Sequence, residues 1–584
     1  MIHAPNTRKE MNQRATLPPF WDARTEEEKK KNELLNRTVT EVIDCREVAP
    51  RLADRDMFLQ NYSSNGSKDY NPQASTFGGL AVGIPGELKG LELAHARHGK
   101  LEWNQVLQPV VELADRGVPV NANLANEILS TCRRISKLNG EQLPQWLAPI
   151  RKILTRSDDW KNPLQEGDVL RNPALAETLR TVMERGVSGT MKEVAPKLAG
   201  EIQKAGGIME ADELTEYRPT LRSPVIAHDV YGFSVAGVPP PSSGGAAIIG
   251  ILRFLAMMPT PFSTYVDTQS KHFFVEACKH IFAIRMSLSD PNFNSDVVND
   301  ALNDLVASEY IAQLFAATPT TSTLPLSKYG GVKWAQLDDD DGNQAAKDAQ
   351  EGDRHRKRRT ARRFGYLDDH GTSHFSVADK FGNAVAMTSS VNTVFASLVM
   401  SESTGILLNN QMDDFATPGT PNGYGLVPAE SNYIRPGKKP LSSMSPTFVF
   451  RHAIDPIDNK PTLGPLVLAL GASGGPKIIT AVAQVLLNYV ILGMPLYESL
   501  VHARIHNQLL YHDSTVTTIE ESISVYGQER ISVSMRTRNA LLRRNHSLLE
   551  IDYAGTVQAV SVDGETGAFD AVCDVRKGGS PDGY

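Results

Sequence analysis

Residues 372–391 read TSHFSVADKFGNAVAMTSSV and contain two segments of alternating polarity joined by a turn. Alternation places successive side chains on opposite faces of a strand. The intervening residues 379–383 include aspartate, glycine and asparagine, which favour tight turns. This combination is typical of a β-hairpin. We therefore predict two antiparallel strands over residues 374–378 and 384–391.

Downstream of the hairpin the pattern continues to indicate strands around a glycine-rich turn. Further strands are expected at residues 446–451 and 466–470, and a second hairpin turns at residues 563–567. The turn GASGG at residues 471–475 leads into an apolar helix over residues 477–493. A strand, a glycine turn and a helix in succession expose backbone N–H groups at the helix start, so this turn is suited to accept an oxyanion.

Upstream of the hairpin the sequence is mainly helical. From about residue 86 to residue 255, apolar residues recur at intervals of three and four, for example over residues 87–97 and 101–116. The stretch GVPPPSSGGAAIIG at residues 237–250 predicts a stiff loop that opens into a helix. Two interpretations of this loop stay open, a packing turn, which is the more frequent use, and a site for a small acidic or phosphate group.

Composition excludes several classes of protein. The 584 residues are 41% hydrophobic and 22% charged with a net charge of −7, which argues against a disordered, collagenous or nucleic-acid-binding chain. The four cysteines are widely spaced, so buried thiols are expected rather than disulfides or a metal site. The acidic block at residues 338–341 and the basic cluster at residues 354–363 predict a solvated, mobile loop.

Signals for cellular location point in different directions. The polar start of the chain does not predict a signal peptide, and no apolar run of 18 residues predicts a transmembrane segment. Four N-x-S/T triplets, in contrast, are the acceptor pattern for N-glycosylation of secreted proteins, and they begin at Asn36, Asn61, Asn65 and Asn545.

Five ordered motifs, taken together, resemble the small subunit of the γ-glutamyltranspeptidases. They are DHGTSHFSV (369–377), GNAVAMTSSVN (382–392), GILLNNQMDDF (405–415), PLSSMSP (440–446) and GASGG (471–475). Matching stretches upstream and at the end are VIDCREVAPR (42–51), PPPSSGG (239–245), VEACKH (275–280) and RKGGSPDGY (576–584). The resemblance covers about residues 34–584.

The resemblance implies an α+β fold, the four-layer αββα sandwich of the N-terminal-nucleophile hydrolases. Such proteins are precursors that cut their own backbone before a threonine, which Thr372 matches. The large subunit would be the largely helical segment 34–371, with the mobile charged loop at 337–363, and the small catalytic subunit would be 372–584. Residues 1–33 match nothing in the family and are expected to form a polar tail. Because relatives carry a first helix and strand upstream, a missing strand is expected to leave a sheet edge unpaired.

The activity implied by the resemblance is γ-glutamyl transfer through a threonyl acyl-enzyme. Once cleavage frees it, the α-amine of Thr372 is suited to act as the base, since its ordinary pKa is near 7.7–8. The donors would be glutathione and other γ-glutamyl compounds, and the acceptors water, amino acids or dipeptides. No cofactor, metal or nucleic acid is implied. The family location would be the cell surface, the extracellular space or the vacuole.

Residues around the reacting bond carry over from the family one by one. The oxyanion-hole glycines match Gly474 and Gly475, and a hydroxyl that hydrogen-bonds the nucleophile matches Ser390, where relatives usually have threonine. We expect His374 to be structural, with its ring pointing off the face of the site.

Other matched positions surround the amino acid head of the substrate. In the family an arginine and two serines hold the α-carboxylate, while amide and acidic side chains surround the α-amine. The carboxylate set is Arg46, Ser442 and Ser443, and the amine set is Asn392, Gln411 and Asp414.

One further departure and two alternative functions remain. The Phe-Gly that usually follows the asparagine is Phe395-Ala396 here, and a positive φ at that alanine would cost on the order of 1 kcal/mol.

The chain could be a cephalosporin-acylase-type amidase, although an acylase has no need to clamp an amino acid head with Arg46 and Asp414. It could also be a non-catalytic relative, truncated or degenerate.

Overall fold

A computed structural model describes most of the chain. The described residues are 2–4, 38–59, 73–137, 143–258, 268–338, 371–419, 421–511, 514–521, 523–525 and 529–583. Nearly all of the predicted charged loop, the rest of the polar tail and the triplets at Asn36, Asn61 and Asn65 lie outside these residues.

Helices dominate the part of the chain before Thr372, as the sequence predicts. They are α1 (Glu87–His98), α2 (Trp103–Arg116), α3 (Ala122–Ser136), α4 (Ala148–Leu154), α5 (Pro173–Lys204), α6 (Ala211–Glu216), α7 (Gly244–Ala256), α8 (Thr268–Arg285), α9 (Ser295–Val306), α10 (Ser308–Ala317) and α11 (Gly331–Trp334). Further helices follow Thr372, namely α12 (Lys477–Leu486), α13 (Leu496–Val501) and α14 (Met535–Leu542). None of the helices in the described part of the chain has the length and apolar character needed to cross a membrane.

Strands come from both halves of the chain. They are β1 (Ile2–Ala4), β2 (Glu41–Asp44), β3 (Val118–Pro119), β4 (Val169–Leu170), β5 (Thr220–Arg222), β6 (Val225–Val230), β7 (Phe233–Gly237), β8 (Thr372–Ala378), β9 (Ala384–Ser390), β10 (Thr447–Ile454), β11 (Pro461–Ser473), β12 (Ile505–His506), β13 (Val516–Glu520), β14 (Ile523–Val525), β15 (Glu529–Ile531), β16 (Ser547–Ile551), β17 (Thr556–Val562) and β18 (Phe569–Cys573). Both predicted hairpins are present, as β8–β9 and β17–β18.

Two sheets pack face to face at the centre of the molecule. One has the order β5-β2-β1-β9-β8 and the other the order β18-β17-β11-β10-β7-β6. The core between them contains the small residues Ala384 and Ala386 of β9 against Phe448 and Phe450 of β10. Small side chains on one sheet and rings on the other allow close approach, because interiors pack at crystal-like density.

Helices cover the outer faces of both sheets. On the six-stranded side, α7, α8 and α12 form the largest buried cluster with β10 and β11. On the other side α1 packs against β2, and α5 packs against α1 and α2. The predicted four-layer αββα arrangement is therefore confirmed, and the helical layers bury faces that the strands alone would expose.

The sheet edge that was expected to be unpaired is filled. The three residues of β1 pair with β2 on one side, with Ile2 opposite Val42, and with β9 on the other, with Ile2 opposite Ala386. The expected gap in this sheet is thus occupied by backbone from residues 2–4.

Cysteine chemistry is simple in this fold. All four cysteines are free, with Cys132 and Cys278 buried and Cys45 and Cys573 half-buried. Burial raises the pKa of the Cys45 thiol to about 12. Cys132 and Cys278 thus match the prediction of buried thiols, whereas Cys45 and Cys573 are less buried than predicted.

Candidate active site

Thr372 is the first residue of β8 and is buried beside a second hydroxyl. In the hairpin register it lies opposite Ser390, and its Oγ1 is 2.9 Å from the Ser390 Oγ. The Ser390 Oγ also accepts the backbone N–H of Asn392 at 2.9 Å. The carbonyl of Thr372 accepts a hydrogen bond from the Lys577 Nζ at 2.7 Å. Both the side chain and the backbone of Thr372 are thus fixed by residues that follow it in the chain.

The residue before the threonine is confined to glycine by its surroundings. A Cβ on Gly371 would lie 2.2 Å from the carbonyl oxygen of Thr393 and 2.5 Å from that of Asn392. The carbonyl of Gly371 accepts the N–H of Val391 at 3.0 Å. The bond between residues 371 and 372 is therefore held in one place next to the Thr372 hydroxyl.

His374 lies on the same face of β8 as Thr372, which corrects the expectation that it points away. Residues two apart on a strand share a face. Its Nδ1 is 2.9 Å from the Thr388 Oγ1 and its Nε2 is 3.0 Å from the Ser376 Oγ. The ring packs on Gly471, where a Cβ would lie 2.3 Å from a ring carbon. Both ring nitrogens have partners, so the geometry still fits a structural role.

The glycine turn before α12 presents backbone N–H groups near the threonine. Gly474 has a φ of 135° and Gly475 a φ of 53°, conformations that favour glycine. Within the described residues, neither N–H has an intramolecular acceptor. Gly475 lines the cavity in front of Thr372, whereas Gly474 is not among the lining residues.

A buried ion pair forms one wall of the cavity. The Arg46 Nη2 donates to the Asp414 Oδ2, and the Gln411 Nε2 donates to the same oxygen at 2.9 Å. Burial raises the pKa of Asp414, and Arg46 beside it opposes that rise. The Gln411 Oε1 is buried without a hydrogen-bond partner among the described residues, so one acceptor remains available to a ligand.

Asn392 lines the same cavity as Thr372 and this ion pair. Its φ is 78°, a conformation that asparagine tolerates better than most residues. The Asn392 Nδ2 donates to the carbonyl of Asn410 at 3.0 Å, and the Tyr424 hydroxyl donates to its Oδ1. The sequence reasoning did not single out Tyr424, because it lies in a loop between quoted motifs.

Ser442 and Ser443 are held by segments that precede Thr372, the proline-rich loop and α8. The N–H of Ser442 donates to the carbonyl of Pro241 at 2.8 Å, and its carbonyl accepts from both the N–H and the hydroxyl of Ser243 at 2.7 Å. The Ser443 Oγ accepts from the Arg285 Nη2 at 2.9 Å. These contacts fit the packing-turn interpretation of the loop.

Nine of the ten predicted site residues line one cavity of about 840 Å³, part of it open to solvent. The exception is Gly474. Residues that the sequence reasoning missed also line it, among them Phe282, Arg285, Phe415, Asn422, Tyr424 and Gln508. Arg285 follows the quoted motif at 275–280, and its helix is buried on all sides, so no periodic pattern marks it.

A second buried cluster has the composition of a metal site. One ligand atom each from His272, Glu276 and His546 lies within 4.8 Å of the others. The Lys279 Nζ, however, is 2.9 Å from the Glu276 Oε1 and 3.5 Å from the His546 Nδ1. The His272 Nδ1 is 2.8 Å from the His546 Nε2. A lysine ammonium thus already supplies the positive charge.

A threonine at the head of a strand, inside an αββα sandwich and next to a glycine turn, defines the N-terminal-nucleophile hydrolase class. The family model described as gamma-glutamyltranspeptidase matches residues 35–584, and the chain belongs to that family. The resemblance stated from the motifs is therefore confirmed, and the chain is an enzyme of that family.

Curated relatives agree with this assignment. The chain is 35% identical over 553 residues to glutathione hydrolase 2 of Arabidopsis thaliana, covering 93% of this chain and 83% of the relative. It is 34% identical over 476 residues to the glutathione hydrolase proenzyme of Escherichia coli, covering 81% and 71%.

A solved structure with the same fold has a different name. It is a cephalosporin acylase from Bacillus halodurans, with a TM-score of 0.69, 19% identity, and coverage of 94% of this chain and 85% of that one. At that identity the similarity shows the fold alone.

Proposed function

We propose that the protein cleaves itself before Thr372 and then transfers γ-glutamyl groups from glutathione and related compounds to water, amino acids or dipeptides. The observation that carries this proposal is the convergence of nine matched residues on the cavity in front of Thr372. The names of the relatives, which are glutathione hydrolases, support the choice of substrate.

Maturation begins with the Thr372 hydroxyl. Its Oγ1 attacks the carbonyl carbon of Gly371, the C–N bond breaks, and the nitrogen takes up the hydroxyl proton to become a free amine. Water then hydrolyses the resulting ester, which leaves Gly371 with a carboxylate and restores the Thr372 hydroxyl. Ser390, at 2.9 Å from the Oγ1, supports this step as a hydrogen-bond partner.

The same hydroxyl acts in turnover. The new α-amine accepts the Oγ1 proton while the Oγ1 attacks the γ-carbonyl of the donor. The N–H groups of Gly474 and Gly475 bind the tetrahedral oxyanion, a contribution typically of about 3 kcal/mol per donor. The leaving amine takes the proton, and water or an acceptor amine then attacks the acyl ester.

Recognition uses the charged wall of the cavity. Arg46, Ser442 and Ser443 bind the α-carboxylate, and Asn392, Gln411 and Asp414 bind the α-ammonium group. A free amino acid head carries both charges, whereas a residue within an ordinary peptide carries neither. The unpaired Gln411 Oε1 supports this assignment, since an ammonium group would complete its hydrogen bonding.

A denaturing gel and a chromogenic donor test the proposal together. The purified wild type is expected to give fragments of 371 and 213 residues and to release p-nitroaniline from γ-glutamyl-p-nitroanilide. Thr372→Ala is expected to give a single intact chain without activity. Ser373→Ala is the matched control, because Ser373 is exposed on the opposite face of β8. A Thr372→Ala variant that still splits at this bond contradicts the mechanism.

For location, we propose the cell surface, the extracellular space or the vacuole. Asn545 of the triplet Asn545-His546-Ser547 supports this, since it is exposed at the end of α14 and so accessible to a glycan. Treatment of the native protein with an N-glycosidase is expected to raise its gel mobility, and unchanged mobility in both subunits contradicts the proposal.

A further inference from the structure

Arg285 is a buried cation at the wall of the active-site cavity. It is the last residue of α8, and it is 5% exposed. Its Nε donates to the Ser243 Oγ at 2.9 Å and its Nη2 donates to the Ser443 Oγ at 2.9 Å. Both partners are neutral hydroxyls, so neither balances its charge.

The charges that line the cavity do not sum to zero. Three charged side chains line it, Arg46, Arg285 and Asp414, and Arg46 is paired with Asp414 and, outside the lining, with Glu47. Arg285 makes no ion pair with any carboxylate in the described part of the chain. Burial lowers the pKa of Arg285 to about 10, which still leaves it charged at neutral pH. Asp414 acts on Arg285 only from a distance, and a buried charge without a carboxylate in contact is costly, so this cavity is suited to receive an anion.

The hydrogen-bond directions at Ser443 point the same way. Its Oγ accepts from Arg285, so its own proton is available to another acceptor. The Ser442 Oγ likewise accepts from the N–H of Met444 at 3.1 Å. Within the described residues neither hydroxyl proton has an acceptor, and the Arg285 Nη1 donates no hydrogen bond, although the guanidinium lies over the Phe282 ring at 5.6 Å. Together these groups offer several donors to one carboxylate.

We propose that Arg285 is a substrate-binding residue that contacts the α-carboxylate of the γ-glutamyl group beside Ser443. This inference rests on the proposed function and adds a second arginine to the carboxylate site, contributed by α8 of the large subunit. A purely structural role, in which Arg285 only ties Ser243 to Ser443, is the alternative that the test must distinguish.

The test compares donors that differ by one group. The wild type is first assayed with γ-glutamyl-p-nitroanilide, and absence of activity there contradicts the proposed function rather than the role of Arg285. The second donor, 4-aminobutyryl-p-nitroanilide, keeps the amine and lacks the α-carboxylate. The third, glutaryl-p-nitroanilide, keeps the carboxylate and lacks the amine. Where turnover of an analogue is too slow, inhibition constants of L-glutamine and 4-aminobutanamide give the same comparison.

In Arg285→Gln, the ratio of kcat/KM for the γ-glutamyl donor to that for the 4-aminobutyryl donor is expected to fall about 10- to 150-fold, as for one lost charge-assisted contact. The glutaryl donor should lose as much as the γ-glutamyl donor. Arg253→Gln is the control, because Arg253 is a partly buried arginine of α7 outside the cavity lining, and its ratio should be unchanged. Equal losses for all donors in Arg285→Gln show a structural role and overturn the proposal.

Arg285→Lys covers the case in which the glutamine variant does not mature. Lysine keeps the positive charge, but its ammonium lacks the planar set of N–H donors needed to bind both serines and a carboxylate at once. We expect normal cleavage, a KM for the γ-glutamyl donor raised about tenfold, and kcat within about twofold of the wild type. A lysine variant with the wild-type donor ratio overturns the proposal as well.

Discussion

Substitution of Arg46 by lysine separates substrate recognition from folding. The guanidinium of Arg46 has three protein contacts, with Asp414, with the Pro440 carbonyl at 3.3 Å and with the Glu47 Oε2 at 3.4 Å. A lysine ammonium keeps the positive charge next to Asp414, so the buried acid stays paired. It cannot offer the planar pair of N–H donors that a carboxylate prefers.

The size of the effect follows from the contact that is lost. A charge-assisted hydrogen bond contributes about 1.5–3 kcal/mol, which corresponds to about a 10- to 150-fold rise in KM for a γ-glutamyl donor. Cleavage should stay complete. Arg46→Met, in contrast, leaves Asp414 buried without its partner and should destabilise the fold by about 3–5 kcal/mol.

Steady-state kinetics and a denaturing gel of the two variants measure both effects. Arg51→Lys is the matched control, because the Arg51 side chain lies in the same segment but is 50% exposed, with surface ion pairs to Asp212 and Glu210. Its KM should equal that of the wild type. An unchanged KM in Arg46→Lys would remove Arg46 from the substrate site and refute the recognition scheme.

Three further substitutions test individual contacts. Gly371→Ala should accumulate uncleaved precursor on a gel, since the added Cβ has no room beside the Thr393 carbonyl. Gly564→Ala is the control and should mature normally, because a Cβ there meets nothing within 4 Å. Full cleavage of both variants would contradict the conclusion that residue 371 must be glycine. Ser390→Ala should slow turnover about 5- to 30-fold, because it removes the hydroxyl at 2.9 Å from the Thr372 Oγ1. Ser390→Thr keeps a hydroxyl and should retain activity. An alanine variant with wild-type turnover would show that this hydroxyl is dispensable. Burial lowers the pKa of His374 to about 3, below its unfolded value of about 6.5, so the unfolded state binds the proton first and stability falls as pH drops from 6.5 towards 3. His374→Gln should therefore show a smaller fall in Tm between pH 6.5 and pH 4, and parallel Tm curves would contradict the shift.

Local structure was predictable wherever it depends on neighbouring residues. The hairpin at 374–391, the helices after residue 86 and the turn before α12 all follow from periodicity and turn chemistry. The face of His374 was also open to such reasoning, because it is two residues from Thr372 on a strand. The expectation was wrong because it placed His374 on the opposite face of the strand from Thr372. Only adjacent residues lie on opposite faces, and residues two apart lie on the same face.

Contacts between distant segments were not available from local patterns. Arg46 and Asp414 are 368 positions apart, and only the family resemblance brought them together before the structure did. Neither the family resemblance nor a local pattern identified Arg285 as a site residue. Every residue from 272 to 285 is buried, so the helix shows no polar stripe. The φ values of 50° at Phe395 and 53° at Ala396 likewise depend on tertiary context, which keeps a buried alanine in a glycine conformation.

The distribution of strands explains why a cut before Thr372 need not separate the two parts of the site. One sheet joins β2 and β5, which precede this bond, to β8 and β9, which follow it, and the other joins β6 and β7 to β10 and β11 in the same way. Arg46 and Arg285 precede the bond, whereas Thr372, Asp414 and Ser443 follow it. The proposed cleavage would change the chemistry of one residue, since it would turn the Thr372 amide into an amine. Because each sheet contains strands from before and after this bond, the hydrogen-bonded sheets would keep the other members of the proposed site in register after a cut.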